Sequence, residues 1–389
     1  MPRKSLLVLT LILLAAAVSG CQEGVMQPQP RPPTAAATAT EAPPTVAAAP
    51  RVLPDIHAEP WPEADNLFRG DPHWLGSDDA YSIDLGDGRV LWLFGDTFIT
   101  YDARRSRQGA LMIRNSIGVQ TGYDPSIAEM DFYWPLIDYL PSSFFPERGN
   151  LWYWPGHGVR LDDRVIVFLM VVRKSIGGLG FATEGWAAAR LTGIAGPPAE
   201  WELTWLDTPA NDYGVLISGA ALVSDGYVYV YGVQEPSHDI YLVRWPVAEV
   251  LADDLARPQW WTGAAWTAQQ ELTGLPAPLY TGGQTEFTVH YDPALQQYLG
   301  IQTVGFPQAE LAFRLAPAAT GAWSAATVFY RPEEYAIRDV MIYAAKAHPE
   351  LMGAGADLIL TYATNSLSQT SLLSDDRLYY PRFLKATYR

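Results

Sequence analysis

Gly76–Thr97, GSDDAYSIDLGDGRVLWLFGDT, reads as two strands joined by a tight turn. Ala80–Leu85 alternates small or polar residues with apolar ones, Gly86-Asp87-Gly88 supplies the turn, and Val90–Phe94 is an apolar run fit for burial. Asp78 and Asp79 stand where the first strand begins, and Asp96 where the second ends. A three-residue loop sets Asp78 opposite Asp96; a two-residue loop sets Asp79 there. Either register brings two carboxylates to one end of one hairpin, with facing Cβ atoms about 4.5–5.5 Å apart.

Strand-length runs of the same kind recur along the chain. They include Leu151–Leu161, Val165–Val172, Tyr227–Gly232, Glu286–Tyr291, Tyr298–Thr303, Leu358–Tyr362 and Tyr380–Thr387, with Asp-Gly turns such as Asp225-Gly226 and almost no helical periodicity. About twenty strands without βαβ alternation predict an all-β fold, a five-bladed β-propeller of four-stranded blades. A large sandwich or a β-helix is the alternative. Pro246–Ala256 reads as a short helix.

The folded part is expected to span residues 51–389. Ahead of it, residues 1–20 have the form of a secretory signal: Arg3 and Lys4, the apolar Leu6–Ala17, then Val18-Ser19-Gly20 before Cys21. Small residues followed directly by a cysteine resemble a bacterial lipobox, which makes Cys21 the expected lipid-attachment residue. It is the only cysteine, so no intrachain disulfide can form. Residues 21–50 are rich in Pro, Ala and Thr, a composition too poor in apolar surface to fold, and read as a disordered linker. The expected location is therefore extracytoplasmic, at the bacterial cell surface, with the membrane as partner through Cys21.

A net charge of −16 argues against nucleic acid as a partner. Six histidines show no HxH or HxxxH spacing, so no metal site is expected. No GxSxG, GxGxxG or P-loop occurs, and no cofactor is indicated. The sequence specifies no structural cation, although such a fold has room for one on its axis. The 14 Trp and 21 Tyr suit core packing more than ligand stacking, although sugar rings stack on such faces.

Paired carboxylates suit glycoside cleavage, because one acid must protonate the leaving oxygen while the other attacks or activates water. Asp78 and Asp96 are the candidate pair, with Asp79 and Glu286 as additional acids; as turn and cap residues they would have only structural roles. Close spacing would favour retention and drive the two pKa values apart. Arg114 and Asn115, polar residues inside the apolar MIRNSIGVQ, would hold carboxylates or substrate. Trp154 and His157 in LWYWPGHG, and Tyr343, His348, Asn365 and Arg382 near the C-terminus, complete the substrate-binding candidates.

The motifs WLGSDDAYSI, LGDGR, LWLFGDTF, RNS, WPGHG, KAHPEL, YATNS and YYPRF resemble those of a bacterial family of secreted five-bladed propellers that includes endo-D-arabinanases. The resemblance spans Trp61–Arg389. It implies a glycoside hydrolase acting on a furanose-containing polysaccharide, with two catalytic aspartates at Asp78 and Asp96. Asp79 departs from the pattern, since many relatives would carry glycine there. Kinship with other furanoside-cutting propellers implies a third acid, for which Glu286 is the candidate. The rival expectations are a non-catalytic propeller that binds glycan or protein at the cell surface, and a purely structural surface protein.

Overall fold

Five antiparallel sheets account for nearly all the regular structure of Leu53–Arg389, which is one compact unit. The computed structural model describes residues 53–102, 105–353 and 355–389. The expected signal peptide, Cys21 and the linker lie outside them.

Blade I is built from Trp74–Gly86, Arg89–Ile99, Ser116–Thr121 and Glu129–Tyr133, with Leu111–Ile113 added beside the second strand. Blade II runs Leu151–Leu161, Arg164–Lys174, Phe181–Thr192 and Glu202–Leu206. Blade III begins at Val215–Ser224 and gains a fifth strand, Trp266–Ala268; blade IV runs from Thr288–Asp292 to Thr327–Tyr330. Blade V comprises Val340–Ala347, Leu358–Ser366 and Arg382–Tyr388, and takes its outermost strand, Ile56–Pro60, from the start of the unit. That strand pairs Ile56 with Tyr388 and Pro60 with Leu384, tying the two ends of the propeller into one sheet. The first strand of each blade touches the first strands of both neighbouring blades, so these five strands surround the axis.

The turns follow their residues. Asp87-Gly88 and Asp225-Gly226 each hold two consecutive positive φ angles (53° and 77°, 50° and 78°), the type I′ geometry that matches strand twist. The helix expected near Pro246 spans Val247–Leu251.

Apolar side chains gather into five main clusters, one at each junction between successive blades. Trp74, Trp92 and Phe94 of blade I meet Ile359 and Phe383 of blade V, which closes the ring. Phe168 and Trp186 of blade II meet Val228 and Trp245 of blade III. Trp74, Trp92 and Trp245 are fully buried, so these tryptophans are packing residues. Arg107 reinforces the closure between blades I and V. It donates to the carbonyls of Leu75 (2.8 Å) and Leu378 (2.6 Å), beside the strand end that carries Asp78.

Candidate active site

The first hairpin pairs Tyr81 with Leu93, Ser82 with Trp92 and Ile83 with Leu91, the register in which Asp78 comes opposite Asp96. The turn nevertheless has two residues, Gly86 facing Arg89, and a shift between Asp84 and Gly86 absorbs the difference. At the acidic end the ladder bulges again. Asp79 and Ala80 take positive φ (73° and 65°), Asp79 pairs out of step with Phe94, and the original register returns at Ser77 with Thr97. The bulge separates the two neighbouring acids: Asp78 keeps partial exposure and Asp79 is buried.

Hydroxyl groups lock this end of the hairpin. Ser77 Oγ donates to the Asp96 carbonyl (2.8 Å), and Thr97 Oγ1 donates to the Gly95 carbonyl (2.8 Å). Gly95 is required for close approach: a Cβ there would lie 2.5 Å from Asp78 Oδ1. A Cβ on Gly76 (φ 110°) would lie 2.1 Å from the Tyr379 carbonyl oxygen, which brings that tyrosine's segment against the same strand end.

The two acids have different company. Asp96 accepts from Arg114 Nη1 at Oδ2 (3.1 Å) and from the Trp154 indole N–H at Oδ1 (2.8 Å), so both oxygens are held as an anion's would be. Its pKa is raised on balance, because burial outweighs the opposing pull of Arg114 and Trp154. Among the described residues, Asp78 accepts only the Tyr343 hydroxyl at Oδ2 (2.7 Å), and Asn365 Nδ2 donates in turn to that hydroxyl (3.2 Å). Burial pushes the Asp78 carboxyl up to about 8; the charges of Asp96 and Glu286 add to the rise, and Tyr343 and Lys346 oppose it. At neutral pH Asp78 therefore holds a proton, beside an Asp96 whose two oxygens are both braced by donors. The Tyr379 ring stands close enough to feel both acids.

Glu286 lies just ahead of the blade IV strand Thr288–Asp292, not inside it, and its Oε1 accepts from Lys346 Nζ (3.2 Å). Asp79 meets the same ammonium, 3.0 Å from its Oδ1. Trp152 carries the Arg114 guanidinium 4.4 Å above its ring, extending an aromatic wall from Trp154.

Four expected substrate contacts stand elsewhere. His348 is fully buried, between Ser82 Oγ (2.5 Å) and Thr361 Oγ1 (2.8 Å), and has no nitrogen left for a sugar. Asn115 is also fully buried; it donates to the Phe145 and Tyr153 carbonyls and accepts from the Phe145 N–H, tying blade I to the segment leading into blade II. Arg382 pairs with Asp65 (3.2 Å) and Glu334 (3.3 Å) in blade V. His157 accepts from the Ala221 N–H (3.0 Å) and stacks on Tyr81; burial takes its pKa down to about 4. Protein partners use the polar atoms of His348 and Asn115 in full, and they take two nitrogens of Arg382 and one of His157.

Lys346 was missed, although a lysine inside the apolar strand VMIYAAKA is the sign that it must have partners. Tyr379 was missed as well, because its approach depends on a chain reversal that local pattern does not encode. Among the described residues, no group of three His, Cys, Asp or Glu side chains is placed to hold a metal ion.

Residues 63–387 match the family model described as "Domain of unknown function (DUF5005)", and the chain belongs to that family. Among solved structures, a candidate hydrolase of Bacteroides ovatus superposes with a TM-score of 0.69 at 16% identity, over 85% of this chain and 90% of that one. That likeness establishes the propeller fold. An endo-arabinase of Bacteroides thetaiotaomicron (TM-score 0.44, 13% identity, 80% and 94% covered) is more distant. So is a GH32 β-fructofuranosidase of Bombyx mori (0.45, 10%, 85% and 63%). No curated protein matches the sequence.

Proposed function

We propose that the chain is a glycoside hydrolase cleaving furanosidic bonds within an arabinose polymer, D-arabinan first among them, with Asp78 as general acid and Asp96 as nucleophile or base. One observation carries this reading: two carboxyls at one end of the propeller axis have opposite hydrogen-bonding environments. Glycoside cleavage needs that asymmetry. Asp78 would deliver its proton to the departing glycosidic oxygen as the C–O bond breaks. Asp96, anionic and held by Arg114 and Trp154, would attack the anomeric carbon or take a proton from the water that does. Arg114 also carries positive charge into the cleft and would orient ring hydroxyls, with Trp152 and Trp154 as an apolar wall beside it.

The choice of a furanose polymer rests on the resemblance of the hairpin and C-terminal motifs to a family containing endo-D-arabinanases. Attachment to the bacterial membrane through Cys21 rests on the lipobox-like sequence. The test is release of reducing ends from D-arabinan and L-arabinan by the protein and by its Asp78→Asn/Asp96→Asn variant. Cleavage of one polymer, absent from the folded variant, is the expected result. If neither polymer is cut but one is retained by the protein, the non-catalytic glycan-binding reading replaces this one.

A further inference from the structure

Lys346 has no solvent-exposed surface. Its ammonium donates to the Asp79 main-chain carbonyl (2.8 Å), Glu286 Oε1 (3.2 Å) and the Ala344 carbonyl (3.4 Å), and lies 4.2 Å from the centre of the Tyr81 ring. It therefore joins the first strand of blade I, the approach to blade IV and the first strand of blade V at one point. A buried ammonium needs one counter-charge, and here two carboxyls surround it. If both were ionised the cluster would carry a surplus negative charge in a desolvated place. The ammonium stands 3.0 Å from Asp79 Oδ1 and 3.2 Å from Glu286 Oε1, and depth of burial indicates which carboxyl is neutral: the Asp79 side chain is 4% exposed and that of Glu286 17%, so the charge is better solvated on Glu286. Burial is the largest of the influences holding the Asp79 proton on, and Glu286 is within hydrogen-bonding reach to accept it.

We propose that Asp79, Glu286 and Lys346 form one charge-neutral unit, with the proton on Asp79, and that Lys346 is thereby a positioning residue for Asp78. The proposal rests on the role of Asp78 given above. Its geometric part is direct. The Lys346 bond to the Asp79 carbonyl fixes the positive-φ bulge at Asp79–Ala80, and that bulge leaves Asp78 partly exposed and directs Asp79 to the buried ammonium. Its electrostatic part follows from what faces Asp78. Asp96 faces it from the second strand of blade I, Glu286 from the approach to blade IV, Tyr343 and Lys346 from blade V, and Tyr379 from the loop before the last strand. Glu286 and Lys346 act on the Asp78 proton with opposite signs.

The test is a mutant cycle on the full chain with two readouts that need no turnover. One is melting temperature. The other is the titration midpoint of the Asp78 carboxyl carbon by NMR, its resonance identified by loss in Asp78→Asn. Lys346→Met strands a carboxylate, so it should lower the melting temperature by roughly 5–10 °C and move the Asp78 midpoint upward. Adding Glu286→Gln removes the stranded charge, and the double variant should recover most of that loss and bring the midpoint back. Asp79→Asn, the same shape as the protonated acid, should leave both readouts near the parent values.

A double variant as unstable as the two single losses summed, or an Asp79→Asn variant that shifts either readout strongly, would overturn the neutral unit. A midpoint identical in every variant would overturn the positioning role. If Lys346→Met alone does not fold, the double variant and Asp79→Asn still decide the matter. A chain that behaves as expected here yet cuts no glycan refutes the hydrolase reading and leaves this unit intact.

Discussion

Replacing Asp78 by asparagine should stabilise the protein, and by more at high pH than at low. In the folded chain the carboxyl binds its proton up to about pH 8, against 3.8 in the unfolded chain. Between those values the folded state holds a proton that the unfolded state has lost. Wild-type stability therefore falls as pH rises through the window: the group's contribution is fully present below the unfolded value and is lost by the folded one. Each unit is worth about 1.4 kcal/mol, so three units, from pH 5 to pH 8, come to about 4 kcal/mol. Asp78 is only partly buried, and solvent trims the figure to the order of 3 kcal/mol. Asparagine keeps an oxygen to accept from Tyr343 and has no charge to bury. Urea denaturation of both proteins at pH 5 and pH 8 gives the comparison. The expected result is a gap that widens in favour of Asp78→Asn by about 3 kcal/mol as pH rises. An equal gap at both pH values would show that the carboxyl titrates normally, and the assignment of Asp78 as a protonated acid would fail.

Other perturbations separate catalysis from packing. Arg114→Ala removes the charged donor to Asp96, so its pKa should rise; kcat/KM on a cleaved polymer should fall about 10²-fold, with the acidic limb of the pH profile moving to higher pH. Gly95→Ala puts a methyl group 2.5 Å from Asp78 Oδ1, and the acid must swing away. Kinetics should show at least a ~10-fold loss of kcat, and calorimetry a melting temperature within about 2 °C of the parent. Arg382→Met leaves Asp65 and Glu334 unpaired in a buried place; denaturation should record a loss of about 3–5 kcal/mol while kcat per folded molecule stays unchanged.

The hairpin was legible because Val90–Phe94 must face the core and the alternation of Ala80–Leu85 leaves few ways to pair with it. That reasoning brought either Asp78 or Asp79 across from Asp96; the loop length left open which, and the choice of Asp78 came from the family resemblance. The destination of Asp79 was not legible, because a bulge breaks the period of two and no pattern in GSDDAYS announces positive φ at two non-glycine residues. Outer strands were missed for a different reason. Ile56–Pro60, Glu129–Tyr133 and Gln259–Trp261 lie at or near blade edges with mixed burial, and IHAEP carries too little apolar signal to stand out. The closing strand of blade V was thus absent from the sequence reading even though five blades were counted. His348 and Asn115 were misplaced because a polar residue in an apolar strand must have partners, and sequence does not say whether these are a ligand or the neighbouring main chain. The environments of the two acids arise between blades, through Trp154, Tyr343 and Lys346, at separations that local periodicity does not reach.

The most direct test of the assigned roles compares two substrates in two variants. One substrate is D-arabinan, whose sugar leaving group needs a proton; the other is an arabino-oligosaccharide bearing a dinitrophenyl leaving group, which does not. Asp78→Asn should lose cleavage of the polymer and keep most of its rate on the dinitrophenyl glycoside, while Asp96→Asn should lose both. Equal losses on both substrates in Asp78→Asn, or dinitrophenyl release surviving in Asp96→Asn, would contradict a pair in which Asp78 gives the proton and Asp96 supplies the negative charge.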